Sequence, residues 1–137
     1  MKILTKLYLN KAEPRHANII IPGSKSESNR LIILSSLFEN INLENISNSD
    51  DTNHLLNAIN TKSQIIDVAH AGTAMRFLTS YLCLKTKVDI QLLGSQRMYN
   101  RPIKILVDSL RQIGASIEYI DKEAVSYTHL RAHETDR

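Results

Sequence analysis

Residues 19–39 read IIIPGSKSESNRLIILSSLFE, and this stretch constrains the chain more than any other. An apolar run stops at Pro22-Gly23, a short polar segment follows, and apolar residues then recur at helical spacing. The segment from Gly23 to Arg30 therefore sits where a helix starts. A helix start attracts anions, because its first amides lack intrahelical partners and the macrodipole is positive there. Lys25, Ser26 and Arg30 add charge-assisted bonds to such a site. We read it as a seat for phosphate or carboxylate. The same Ser and Asn residues also suit ordinary helix capping, and basic residues on a first turn are often simply solvated, so the spacing alone leaves both roles open. The pattern argues against a nucleotide-binding P-loop: Ser24 precedes Lys25, and no upstream glycine stands at the required distance.

The rest of the chain alternates strand-like and helix-like stretches. Residues 2–9 and 18–21 read as strands, with a turn at Pro14 between them. A helix is predicted over 26–38, with Leu31, Leu34, Leu37 and Phe38 on one face. Residues 41–46 alternate as a strand, and Ser49-Asp50-Asp51-Thr52 caps a helix carrying Leu55, Leu56 and Ile59. A short strand follows at 63–68. Then His70-Ala71-Gly72-Thr73-Ala74-Met75-Arg76 repeats the opening theme, a glycine and a hydroxyl leading into a helix with Ala74, Phe77, Leu78, Tyr81 and Leu82 at helical spacing. Residues 87–93 alternate through Val88, Ile90 and Leu92. Residues 94–102 form a basic loop, and Pro102 suits a first helical position. Ile103, Leu106, Val107 and Leu110 mark the buried face of the next helix, Gly114 ends it, and 115–120 is a last strand. This order predicts an α/β protein. Lys25, Arg30, Arg76, Arg97 and Arg101 all fall at loop-to-helix junctions, which suggests one concave site for an anionic small molecule.

Composition narrows the alternatives. Seventeen basic and 14 acidic residues give a net charge of +3, too mild and too scattered for a nucleic-acid surface. No apolar stretch reaches membrane-spanning length, and the first ten residues lack the apolar core of a signal peptide, so a cytoplasmic protein is expected. Cys83 is the single cysteine; it falls in a helical apolar pattern and reads as a buried, inert thiol. His129 and His133 have metal-ligand spacing on a helix, but two ligands alone do not make a zinc site.

Three stretches resemble the EPSP synthase (3-phosphoshikimate 1-carboxyvinyltransferase) family: Gly-Ser-Lys-Ser-x-Ser-Asn-Arg at 23–30, Ala-Gly-Thr-Ala-Met-Arg at 71–76, and Arg-Met-x-x-Arg-Pro-Ile at 97–103. They occur in the family's order. The resemblance implies a two-domain fold of repeated βαβαββ units with mixed sheets and helices. It also implies transfer of the enolpyruvyl group of phosphoenolpyruvate to the 5-hydroxyl of shikimate 3-phosphate, with phosphate leaving. Carried over, Lys25 contacts both substrates, and Ser26 and Arg30 bind shikimate 3-phosphate. Gly72 and Arg97 contact phosphoenolpyruvate, while Thr73, Arg76 and Arg101 lie in the same motifs without a firm role. No metal or organic cofactor is implied, and the full-length family is expected to be monomeric. His70 departs from the Asn of many members, Phe77 from a Pro, and Asn100 from a common Glu.

The resemblance ends near Lys122 and covers only an N-terminal part of that architecture. Residues 1–21 are expected to belong partly to a missing second domain, 22–124 to a partial N-terminal domain, and 125–137 to a non-native tail that reads like a translated sequencing adapter. The proton-transfer groups would lie in the missing part, so no catalytic residue is identified here and the 137-residue chain is expected to be inactive, and poorly stable or aggregation-prone. The alternatives are an enzyme like UDP-N-acetylglucosamine enolpyruvyl transferase, or a non-catalytic module binding anions or nucleic acid.

Overall fold

A computed structural model of the chain describes residue 16 and residues 18–85, 89–99 and 103–119. Within them the order is α1 (Lys25–Leu37), α2 (Asp50–Asn60), β1 (Ile65–Asp67), α3 (Gly72–Lys85), β2 (Gln91–Leu93), α4 (Gln96–Tyr99) and α5 (Lys104–Gln112). β1 and β2 pair in parallel, Ile66 opposite Leu92, and α3 is the crossover between them. Helix and strand mix as α/β, with the helices far outweighing the sheet.

The core lies where α2, α3 and α5 meet this strand pair. Leu55, Val68, Ala71, Ala74, Leu78, Leu92 and Val107 are fully buried there. Each such Leu contributes about 1.5–3 kcal/mol by leaving water. α2 begins where its sequence says it should: the Ser49 side chain accepts from the Thr52 amide, and Asp50 and Asp51 follow on the first turn, where the dipole favours them. α5 ends at Gly114 with φ 99°, the left-handed region that glycine enters without a Cβ clash. Cys83 is half-buried in α3, and its thiol donates to the Thr79 carbonyl at 2.9 Å; burial pushes its pKa up to about 11.

Several expected elements are corrected. Residues 18–21, 41–46 and 115–119 are not strands. Ile19, Ile20 and Ile21 are exposed by 71–94%, and among the described residues no strand pairs with this apolar run. In 41–46 the chain turns at Asn45, whose φ is 48° and whose Nδ2 donates to the Ile21 carbonyl. In 115–119 the Ile117 carbonyl accepts from Arg111 Nε at 2.8 Å, so a side chain takes the bond a neighbouring strand would need. The basic loop at 94–102 contains the four-residue helix α4. The inward face of α1 is also different. Ser28, Asn29 and Ile32 are buried, whereas Leu31, Leu34 and Phe38 are 36%, 42% and 59% exposed. The expectations for 2–9, Pro102 and 125–137, including His129 and His133, fall outside the described residues.

A candidate anion site at the helix starts

The sequence places its cations at helix starts, and the structure shows how the starts of α1, α2 and α3 are built. α1 opens at Ser24, in extended geometry with no side-chain cap; its first intrahelical bond runs from the Ser28 amide to the Ser24 carbonyl at 2.9 Å. The amides of residues 25–27 lie ahead of that bond, where a helix offers donors to an anion. Lys25, Ser26 and Arg30 are exposed on the same two turns. The contrast with α2 is chemical. There Ser49 caps the turn and two aspartates offset the dipole, so that start is already satisfied.

Gly23 fixes how α1 enters. A Cβ built there would stand 2.0 Å from the Asn45 carbonyl oxygen, so only glycine lets the two backbones pass. Lys25 then faces α2, its Nζ 3.8 Å from Asp51, with side-chain exposures of 48% and 18%. A pair this exposed is worth about 0–1 kcal/mol, so Lys25 is positioned loosely and stays available to a stronger anion.

The second cluster lies at the carboxyl edge of the parallel strands, where βα turns in such sheets commonly hold ligands. Asp67 Oδ1 accepts from the Ala69 amide at 2.7 Å, and Ala69 turns the chain with φ 48°. The Ala69 carbonyl accepts from the Ser95 amide at 2.7 Å, which ties the turn before α3 to the turn before α4. Gly72 is buried at the first residue of α3, Thr73 is half-buried and Arg76 is exposed. Gly94 permits the close packing beneath: a Cβ there would meet Met75 Cε at 2.9 Å and Met98 Cβ at 3.2 Å. Ser95 Oγ is buried and has no hydrogen-bond partner among the described residues.

Two contacts join the neighbouring helices. The rings of His54 on α2 and His70 before α3 meet edge to face, 6.1 Å between centroids. Arg30 of α1 lines a groove of about 300 Å³ together with Ile33, Leu34, Phe77, Tyr81 and Leu84, so it faces α3 just past Arg76. The structure thus places Lys25, Ser26 and Arg30 on the first two turns of α1, and Gly72, Thr73 and Arg76 on the first two turns of α3. Arg97 falls within α4, at the same strand edge, but its side chain is outside the described residues, as is all of Arg101. Sequence alone does not single out Asp51, His54 or Ser95 as site residues. Asp51 was legible only as a helix-start acid, and His70 only as a departure from a family pattern.

Comparison with known proteins adds to this geometry. A family model described as EPSP synthase (3-phosphoshikimate 1-carboxyvinyltransferase) matches residues 55–136. Relatives called 3-phosphoshikimate 1-carboxyvinyltransferase include one from Bacteroides fragilis (strain YCH46), 44% identical over 108 residues, covering 78% of this chain and 26% of the relative. One from Pectobacterium carotovorum subsp. carotovorum is 41% identical, covering 82% and 32%. One from Actinobacillus pleuropneumoniae serotype 3 is 37% identical, covering 88% and 34%. The chain spans about a quarter to a third of the length of these relatives.

Proposed function

The chain belongs to the EPSP synthase family, and from that membership we propose that it is an N-terminal part of an enzyme that transfers the enolpyruvyl group of phosphoenolpyruvate to the 5-hydroxyl of shikimate 3-phosphate, releasing phosphate. The observation that carries the reading is the open start of α1, uncapped by Ser24 and flanked by Lys25, Ser26 and Arg30. Both substrates carry a phosphate and a carboxylate. Bringing them together needs several cations to offset their repulsion, and those cations must then stabilise charge shifting toward the departing phosphate. Lys25, as a compact point charge on a flexible stem, bridges the two substrates. Ser26 and Arg30 hold shikimate 3-phosphate. Gly72 and Arg97 hold phosphoenolpyruvate, with Thr73, Arg76 and Arg101 contributing to the same anionic cleft.

The complete enzyme is a cytoplasmic monomer of two domains built from βαβαββ repeats. Residues 1–21 contribute in part to the second domain and 22–124 to the first. The groups that move protons, and the closure that excludes water, belong to the remainder, so this chain by itself binds without turning over. Residues 125–137 read in sequence as a tail foreign to the enzyme. The family match runs to residue 136, into that segment, so the source DNA past the codon for Ala124 decides. A frame continuing into further enzyme sequence makes the tail an artefact, and a stop after Arg137 makes the chain a remnant.

Titration of the chain with each substrate, followed by amide NMR shifts, tests the assignment. Lys25→Ala is expected to weaken both ligands, and Arg30→Ala mainly shikimate 3-phosphate. Equal loss of both ligands in Arg30→Ala would refute the division of roles. Binding of a UDP-sugar in preference to shikimate 3-phosphate would move the chain to the other enolpyruvyl transferases. Equal binding of any polyanion, with steep salt dependence, would make it a general anion binder.

A further inference from the structure

Beneath the open start of α1 lies a closed ring of hydrogen bonds. Ser28 Oγ accepts from the Ser47 amide at 2.8 Å, and Ser47 Oγ accepts from the Ser49 amide at 3.2 Å. Ser49 and Thr52 share a hydroxyl bond at 2.9 Å, and the Thr52 hydroxyl donates to Asn29 Oδ1 at 2.8 Å. Asn29 adjoins Ser28 in the chain, so the ring closes. Asn29 and Thr52 are fully buried, Ser28 and Ser47 nearly so. Asn29 Nδ2 has no hydrogen-bond partner among the described residues.

A pair of apolar side chains would join two helices without leaving a buried amide unpaired, so packing alone does not account for this ring. What directional bonds add is orientation. Lys25 and Asn29 are four residues apart and stack on one face of α1, and Arg30 follows Asn29 directly. A rotation of roughly 20° about a helix axis displaces a side-chain end by about 2 Å. That shift is enough to break a charge-assisted bond, whose length is only about 2.7–2.9 Å. We propose that Asn29 and Thr52 are positioning residues: their buried bond sets the rotation of α1 against α2, so that Lys25, Ser26 and Arg30 converge on one phosphate ester. This rests on the reading of α1 as the seat of shikimate 3-phosphate.

Thr52→Val removes the hydroxyl at nearly constant shape, and Thr52→Ser restores it; neither touches a proposed ligand contact. The 137-residue chain and its variants are titrated with shikimate 3-phosphate at a temperature where circular dichroism shows each to be folded. Thr52→Val is expected to raise Kd at least tenfold, with Thr52→Ser within twofold of the parent. Thr52→Val with a lowered unfolding midpoint but Kd within twofold of the parent overturns the proposal, since the bond is then purely structural. Should Thr52→Val not fold, Ser47→Ala opens the ring at its longest link and is expected to weaken binding severalfold; unchanged Kd again overturns it. Amide hydrogen exchange separates this proposal from the reading beneath it. Selective acceleration at Ser28, Asn29 and Ser47 in Thr52→Val, with Val107 unchanged, is the expected pattern, and uniform acceleration refutes the hold on α1. This pattern in Thr52→Val, together with a parent chain that does not bind shikimate 3-phosphate, keeps the hold on α1 and removes the ligand assignment alone.

Discussion

Gly23 and Gly94 offer a paired test of how the candidate site is built. Both have φ outside the left-handed region, so Gly→Ala at either gains about 0.4–1 kcal/mol from the less flexible unfolded chain. The native-state costs differ. At Gly23 the new methyl would stand 2.0 Å from the Asn45 carbonyl oxygen, a backbone atom held by the Ser28–Ser47 bond and by Asn45 itself. Relieving it needs a shift of more than an ångström in α1 or in residues 45–47. Overpacking of that kind costs about 1–3 kcal/mol. Stretching the Ser47–Ser28 bond beyond its range adds about 1 kcal/mol. At Gly94 the nearest atom is the flexible end of Met75, which swings aside at little cost, and Met98 Cβ at 3.2 Å needs to give by only a few tenths of an ångström. Gly23→Ala is therefore expected to destabilise by about 1–3.5 kcal/mol net, and to lower Tm by roughly 4–20 °C for a domain of this size. Gly94→Ala is expected to fall within about 1 kcal/mol of the parent. Urea unfolding followed at 222 nm measures both, and the slope m should stay constant. Equal midpoints for the two variants would refute the account of how α1 is seated.

Other expectations follow from single contacts. Burial of Cys83 disfavours its thiolate, and with the pKa raised from 9.0 to about 11, alkylation at pH 8 should run about 100-fold slower than for a free thiol. The rate should climb with pH through the range 8–10; a plateau above pH 9 would contradict the shift. The groove between α1 and α3 leaves Leu84 74% exposed beside Leu34 and Phe77. Self-association through that apolar surface is expected at high concentration, and Leu84→Glu should suppress it in sedimentation velocity without loss of stability, since little packing is removed. An unchanged association constant would place the contact elsewhere. The Lys25→Ala and Arg30→Ala comparison should separate a residue shared by two anions from one that serves mainly the phosphorylated sugar acid.

What the sequence determined by itself was local and periodic. Ser49-Asp50-Asp51-Thr52 announced a cap, and Ser49 caps α2. Gly114 announced a helix end, and α5 stops there. The spacing of Ala74, Leu78 and Leu82 put α3 in the core, and the three motifs identified the family, because these signals depend on residues within a turn or two of each other. The tertiary structure decided everything that required a partner. Residues 41–46 and 115–119 had the alternation of strands, but alternation becomes a strand only beside another backbone, and Asn45 and Arg111 supplied other bonds instead. The inward face of α1 reads as its leucines in sequence, yet it is Ser28, Asn29 and Ile32, because α2 meets that face with Thr52 from 23 residues away. Lys25 meeting Asp51, His54 meeting His70, and Arg30 facing α3 follow from the same cause. Helix periodicity fixes which residues share a face, while only the packing of one helix on another fixes where that face points.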